Sequence, residues 1–292
     1  MKCLVLLYVV VLGSLLSSCA PDAPGPVSVG RPERIVSLGP IITSELYLLG
    51  VDDRLVANTV YCKEPADAEN KTKIGNMIQI NIEKIVSLRP DLVLATGLTH
   101  PEKIQKLENI GIRVERMPRP ESFSMICKSL IRLGGLVGEQ EEAERIVAEV
   151  ERGVDLLKKQ VEGVSKKRVF IQIGTKPLFA VTGDSFINDF IRFAGAENIA
   201  GQEATGVYSR EKVIKEDPDV IIIATMGIAA EEEKKVWKKY STLKAVKNDN
   251  IHVVDSYKLC SPSPRIFVET LKEIVGILHP DLLLNDQSLK SQ

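Results

Sequence analysis

Hydrophobic and polar positions along the chain fall into two rounds of the same order. The first round places an apolar run at Ile35-Val36-Ser37-Leu38, stopped by Gly39-Pro40, and then an apolar-periodic helix opened by Thr43-Ser44-Glu45 and closed by Gly50. Strand runs follow at Leu55 to Asn58, Leu92 to Thr96 and Arg113 to Val114, with helical segments between them. The second round repeats the plan at Val169 to Ile173, Val220 to Thr225 and Ile251 to Val254. Strand, crossover helix and strand in alternation predict a parallel sheet. The expected fold class is therefore α/β, with two similar lobes, each built on a mostly parallel sheet, joined by one long rigid α-helix. That helix is predicted from Glu139 onward, where Ala143, Ile146, Val147, Val150, Val154, Leu157 and Val161 recur at three- and four-residue steps. Roughly 25 residues give a rod about 37 Å long, which predicts small lobe movements rather than wide closure. The expected divisions are an N-terminal lobe over 33–136, a linker helix over 137–166 and a C-terminal lobe over 167–292.

The two rounds match at the level of residues. Ile82-Glu83-Lys84-Ile85 leads after four residues to Pro90-Asp91-Leu92-Val93-Leu94-Ala95, and Arg210-Glu211-Lys212-Val213 leads after four to Pro218-Asp219 and Val220 to Ala224. Glu, Lys, Pro and Asp coincide at an offset of 128 residues, from 83 to 211, and an Ala closes each apolar run one residue out of step, at 95 and 224. A helix, a Pro-Asp turn and a buried strand form a generic α/β unit, but four matching identities in register point to duplication.

Ahead of the lobes, Lys2 precedes an apolar run from Cys3 to Leu16, too short to span a bilayer but suited to a secretion signal. It ends in Leu16-Ser17-Ser18-Cys19, which resembles the lipobox of bacterial lipoproteins. That resemblance implies a signal peptide over 1–18, lipidation of Cys19 and anchoring to the bilayer. Residues 19–32, with Pro21, Pro24, Gly25, Pro26 and Pro32, read as a tether. Of the five cysteines, Cys62, Cys127 and Cys260 then remain, an odd number that excludes a disulfide-stapled scaffold.

Composition narrows the chemistry. Among 292 residues, 38 Lys and Arg balance 39 Asp and Glu for a net charge of −1, so there is no basic footprint for nucleic acid. No nucleophile elbow, H-E-x-x-H, P-loop or G-x-G-x-x-G stands in the sequence. His100, His252 and His279 are isolated from one another. No catalytic constellation is assembled, and an enzyme is not expected. A binding cleft fits better, because in open α/β sheets ligands sit beyond the carboxyl ends of the strands. The segments there supply the candidate ligand contacts Tyr61, Cys62, Met77, Thr99, His100 and Arg119 from the first lobe. The second lobe supplies Thr175, Tyr208, Met226, Tyr257 and Cys260.

The signal, R-I-V-S-L-G-P-x-x-T-S-E-L at 34–46, I-N-I-E-K-I-V-S-L-R-P-D-L-V-L-A at 80–95, the long helix and S-P-R-I at 263–266 together resemble the substrate-binding lipoproteins of ABC importers for vitamin B12, ferric siderophores and haem. The resemblance spans 33–280 and adds Arg265 to the contact set. It implies an extracytoplasmic, lipid-anchored receptor without a cofactor of its own, which delivers a metal chelate to a permease dimer and its ATPase. In the vitamin B12-binding members, glutamates of the two repeated helices dock onto permease arginines, and these fall on Glu83 and Glu211. A carboxylate near a helix start also favours the macrodipole.

The ligand is less defined. A tyrosine four residues before the first cleft proline matches Tyr61 ahead of Pro65, but the two cleft tryptophans of those proteins are replaced by Met77 and Thr205. An iron chelate is thus as well supported as cobalamin. Cys62 and Cys260 admit three readings: soft metal contact, a disulfide across the cleft, or small apolar packing. Two alternative functions stand beside the receptor for chelates: a receptor for a free metal ion or an oxyanion such as molybdate, and a secreted metal-chelatase-like enzyme.

Overall fold

The computed structural model describes residues 30–225 and 229–282. The expected signal peptide, most of the tether, lipid-site Cys19 and the candidate contact Met226 lie outside the described residues.

The first lobe holds strands β1 (Ile35–Ser37), β2 (Leu55–Asn58), β3 (Thr72–Lys73), β4 (Leu92–Ala95) and β5 (Val114–Arg116). They pair in the order β3-β2-β1-β4-β5, all parallel. Helices α1 (Pro40–Leu48), α2 (Ile82–Ser87) and α3 (Pro101–Asn109) connect them. β1 and β4 are wholly buried apolar runs apart from Ser37, as covered parallel strands must be. Arg113–Val114, expected as a strand, is displaced to Val114–Arg116, where the ladder with β4 runs from Val93↔Val114 to Ala95↔Arg116.

Helices α4 (Phe123–Val137) and α5 (Gln140–Gln160) follow. α5 is the expected linker helix, with its predicted apolar stripe buried, but it has 21 residues and is about 31 Å long. It starts later than 137 because Gly138 closes α4 in a left-handed conformation, φ 79°, with its N–H donating to the Gly134 carbonyl. Arg54, in the turn before β2, fixes this corner. Its guanidinium donates to the carbonyls of Val137 at 2.9 Å and Pro32 at 3.1 Å and reaches Glu139.

The second lobe contains β6 (Arg168–Thr175), β7 (Leu178–Ala180), β8 (Glu197–Asn198), β9 (Val220–Ile223) and β10 (Ile251–Val253). Its order is β10-β9-β6-β7, with β8 against the start of β6. All pairings are parallel except β6 with β7, a hairpin. Its helices are α6 (Phe186–Phe193), α7 (Arg210–Glu216), α8 (Ala229–Lys238), α9 (Lys244–Lys247), α10 (Ser256–Cys260) and α11 (Pro264–Leu278).

The duplication persists in three dimensions. In each lobe an arginine opening the first strand donates to a carbonyl at the end of the repeated helix, Arg34 to Leu88 and Arg168 to Glu216. In each, the carboxylate of the Pro-Asp turn accepts from that arginine's backbone N–H, Asp91 at 3.1 Å and Asp219 at 2.8 Å. The repeated Pro-Asp is therefore a clamp between turn and sheet. The two repeated helices are also capped alike: Asn81 accepts from the Lys84 N–H and Ser209 from the Lys212 N–H, which leaves Glu83 and Glu211 each two residues after the cap, both exposed.

Each lobe has a core of its own on the outer face of its sheet, and a third core is shared between the lobes. A continuous apolar cluster runs from Ile35 and Leu92 of the first sheet through α4 and α5 to α11 and to Val169 and Val220 of the second. At its centre Phe267 stacks on Phe190 at 4.1 Å and meets Phe123 at 4.6 Å. The Asp189 carboxylate of α6 accepts from the Phe123 N–H at 2.7 Å, so the second lobe supplies the N-terminal partner of α4. The chain from Arg31 onward is accordingly one compact unit.

Candidate functional site

Each sheet has a point where successive connections leave in opposite directions, between β1 and β4 in the first lobe and between β6 and β9 in the second, and crevices open beyond the carboxyl ends of such strands. A cavity of about 490 Å³ lies there, within the range of small-molecule sites. The first lobe contributes Pro40, Ile41 and Ile42 after β1, Thr96, Gly97 and Leu98 after β4, Met117 to Pro120 after β5, and Met77. The second contributes Ile173 of β6, Ser185 to Ile187 at the start of α6, and Cys260 and Ser261 at the end of α10. Ile126 and Ser129 of α4 and Glu45 of α1 complete the wall. The surface is mainly aliphatic, with Phe186 as its one aromatic ring among the described residues.

Local sequence explains how these side chains are presented. Met77 sits on a tight loop bridged from Gly75 to Ile80. Gly75 adopts φ 107°, and a Cβ there would lie 2.2 Å from the Gln79 carbonyl oxygen, so only glycine fits. The Asn76 side chain accepts from the Ile78 and Gln79 N–H groups and holds the loop shut.

Three of the candidate contacts, Met77, Arg119 and Cys260, are brought together in this wall. Met226 lies outside the described residues, and the others stand elsewhere, for identifiable reasons. Tyr61 is 46% exposed on the loop after β2 and is not part of the wall. Cys62 is buried behind α1, where Thr43 donates to its sulfur at 3.2 Å. Thr99 is a turn-builder that accepts from the Thr96 N–H at 3.3 Å, and His100 stands exposed at the N-cap position of α3 without a side-chain capping bond. Thr175 is spent in the hairpin, paired with Leu178. Tyr208 is packed into the far core of the second lobe, 5.5 Å from the Phe170 ring. Arg265 bonds Glu149 of α5 at 3.4 Å. Tyr257 ties the lobes, its hydroxyl 3.3 Å from Ser44 of α1.

All three thiols of the described residues are free, so Cys62 and Cys260 form no cross-cleft disulfide. Burial pushes the Cys260 thiol up to about 11, which leaves it protonated and a poor metal ligand at neutral pH. Among the described residues no group of three or more His, Cys, Asp and Glu side chains is placed to hold a metal ion.

Glu45 was not among the expected contacts. It is fully buried, it lines the cavity, and neither carboxyl oxygen has a hydrogen-bond partner among the described residues. Desolvation raises its pKa from 4.5 to about 8, so at neutral pH it is a neutral acid. A signal existed in the sequence: Glu45 falls on the stripe formed by Ile42, Leu46 and Leu49, the face that α1 turns to the core.

Known proteins share this architecture. The periplasmic binding protein family matches residues 35–257. An uncharacterized ABC transporter substrate-binding lipoprotein, YvrC, of Bacillus subtilis (strain 168) is 31% identical over 261 residues, covering 86% of this chain and 81% of its own. A vitamin B12-binding protein of Yersinia pseudotuberculosis serotype O:3 is 28% identical over 208 residues, covering 70% and 74%. A crystal structure of a possible iron-binding (periplasmic solute-binding) protein from Staphylococcus epidermidis superposes with a TM-score of 0.73 at 26% identity, covering 85% of this chain and 99% of that one. With two α/β lobes on a helical spine and a family match across both, the chain belongs to the periplasmic binding proteins, as a substrate-binding component of an ABC importer and not an enzyme.

Proposed function

We propose that the protein captures a metal chelate, either an iron chelate such as a ferric siderophore or haem, or cobalamin, in the cavity between its lobes and delivers it to an ABC permease. The observation that carries this reading is the cavity itself: a mainly aliphatic chamber of about 490 Å³ at two facing switch points, with Arg119 at its edge. An apolar wall suits a large organic ligand whose metal is already wrapped. A bare ion or oxyanion asks instead for convergent charged or polar ligands. The similarity to a vitamin B12-binding protein and to a possible iron-binding protein supports the same class.

Delivery rests on Glu83 and Glu211. Among the repeated residues, the aspartates are consumed by the clamp, whereas neither glutamate forms a salt bridge among the described residues. Their identical place after a helix cap, one in each lobe, suits a two-fold symmetric permease. Anchoring through Cys19 would hold the receptor beside that permease on the outer side of the membrane, leaving the ATPase on the opposite side.

The visible absorption spectrum of protein purified without added ligand, followed by thermal-shift measurements with haem, cyanocobalamin and several ferric siderophores, tests the ligand class. A stabilising shift with at least one of them is expected. A shift with molybdate or a bare divalent ion and with none of the chelates would overturn it.

A further inference from the structure

Among the residues around the cavity, Glu45 stands apart. Its neighbours in the wall are apolar or weakly polar, and Arg119, the one cation of that wall among the described residues, is exposed. A buried polar group without a partner costs stability, and such groups are uncommon unless a ligand or water completes them. The groups that hold the rest of α1 are accounted for: Thr43 bonds Ser37 and Cys62, Ser44 bonds the Glu64 carbonyl, and Tyr47 donates to Asp67. Glu45 alone among the polar side chains of this helix has nothing to do within the fold.

We propose that Glu45 is a ligand-contacting residue whose carboxyl group pairs with an uncharged primary carboxamide of the bound molecule. The inference rests on the chelate-receptor reading and deepens it, since it selects among chelates by their peripheral groups. A neutral carboxylic acid offers one O–H donor and one carbonyl acceptor side by side, and a primary carboxamide offers the complementary N–H and C=O. An anionic ligand group such as a propionate gains only the single O–H, and a cation would require Glu45 to ionise in an apolar wall. The oxygens are covered by neighbouring side chains, so pairing requires the side chain to turn toward the cavity it lines. Because neither oxygen is held, that rotation breaks no hydrogen bond. The other titratable groups around it are Cys260 and Arg119 in the same wall and Cys127 of α4, whose thiol burial pushes up to about 12. None of these supplies a buried positive charge to hold Glu45 as an anion.

Isothermal titration of the full chain and of Glu45→Gln and Glu45→Leu with cyanocobalamin, with cobyrinic acid heptamethyl ester and with haemin provides the test, with thermal denaturation of each variant as the folding control. The first probe carries primary carboxamides on its corrin, the second has the corrin without them, and the third is a tetrapyrrole with propionates. Cyanocobalamin is expected to bind best. Glu45→Gln, which keeps a donor and an acceptor, should bind it within about threefold of wild type, and Glu45→Leu, which is expected to fold at least as stably, about tenfold more weakly. Equal affinity in Glu45→Leu, or preference of the wild type for the ester or haemin, overturns the carboxamide assignment while the receptor reading stands. Binding of no chelate in any assay, ferric siderophores included, removes both.

Discussion

Burying Glu45 without a partner makes the stability of the whole chain depend on proton concentration. Its pKa is about 8 in the fold against 4.5 when exposed. Between those values the unfolded chain is ionised and the folded one keeps its proton, so the folded state binds more protons and stability falls as pH rises through that window. Below the lower value the contribution is fully present, and above the upper one the loss is complete. Wild-type protein is therefore expected to lose on the order of a few kcal/mol of unfolding free energy between about pH 5 and pH 8 that Glu45→Gln does not lose, measured by urea denaturation across that range. Parallel pH profiles for the two proteins would contradict the burial of a free acid. At this scale the sequence was only partly legible. Met77, Arg119 and Cys260 reach the cavity because they sit on segments leaving the sheet edges, which periodicity locates. Tyr208 and Thr99 occupy equivalent segments but turn inward, into a core and a turn, and nothing in residue order distinguishes the two directions.

Elements are where the chain's two rounds are most readable and where the duplicated clamp can be tested. β1, β2, β4, β6, β9 and β10 are apolar runs bounded by turn residues, and α5 carries an unbroken stripe. β3 and β8 have two residues each, too short to leave a pattern, and they form because a neighbouring strand presents free backbone groups. Asp91→Ala and Asp219→Ala are each expected to destabilise by about 1–2 kcal/mol in thermal or chemical unfolding, since each frees backbone N–H groups at a strand start. Glu83→Ala, eight residues upstream in the same repeat, should move the unfolding midpoint much less than the aspartate changes, and Glu211→Ala should lower it slightly, because hydrogen bonds from its own backbone and from Ser209 hold its carboxylate below the usual range. Arg54→Met removes donors to two buried carbonyls at the α4 corner, and about 2–3 kcal/mol of destabilisation is expected there. A silent Arg54→Met would mean that the corner is held by packing alone.

At the scale of the molecule, one core extends through both lobes, and aromatic stacking and the Asp189 contact reinforce it across the spine. Such an interior resists opening, so ligand entry is expected to change the small-angle scattering radius of gyration little. The Tyr257 to Ser44 contact at the cleft is the kind of single bond that small motion breaks. The double variant Glu83→Ala with Glu211→Ala is expected to keep ligand affinity and to abolish uptake in cells that depend on this receptor. Normal uptake would remove the docking role. If the inter-lobe cavity is the chelate site, occupying it with a side chain must weaken chelate retention. Filling it with Ile187→Trp on α6, and comparing equilibrium dialysis of wild type and variant against haemin, cyanocobalamin and a ferric siderophore, tests it most directly. Wild type is expected to retain at least one chelate, and the filled variant, still folded, to retain it at least about tenfold more weakly. Undiminished retention by the filled variant would contradict that assignment of the site.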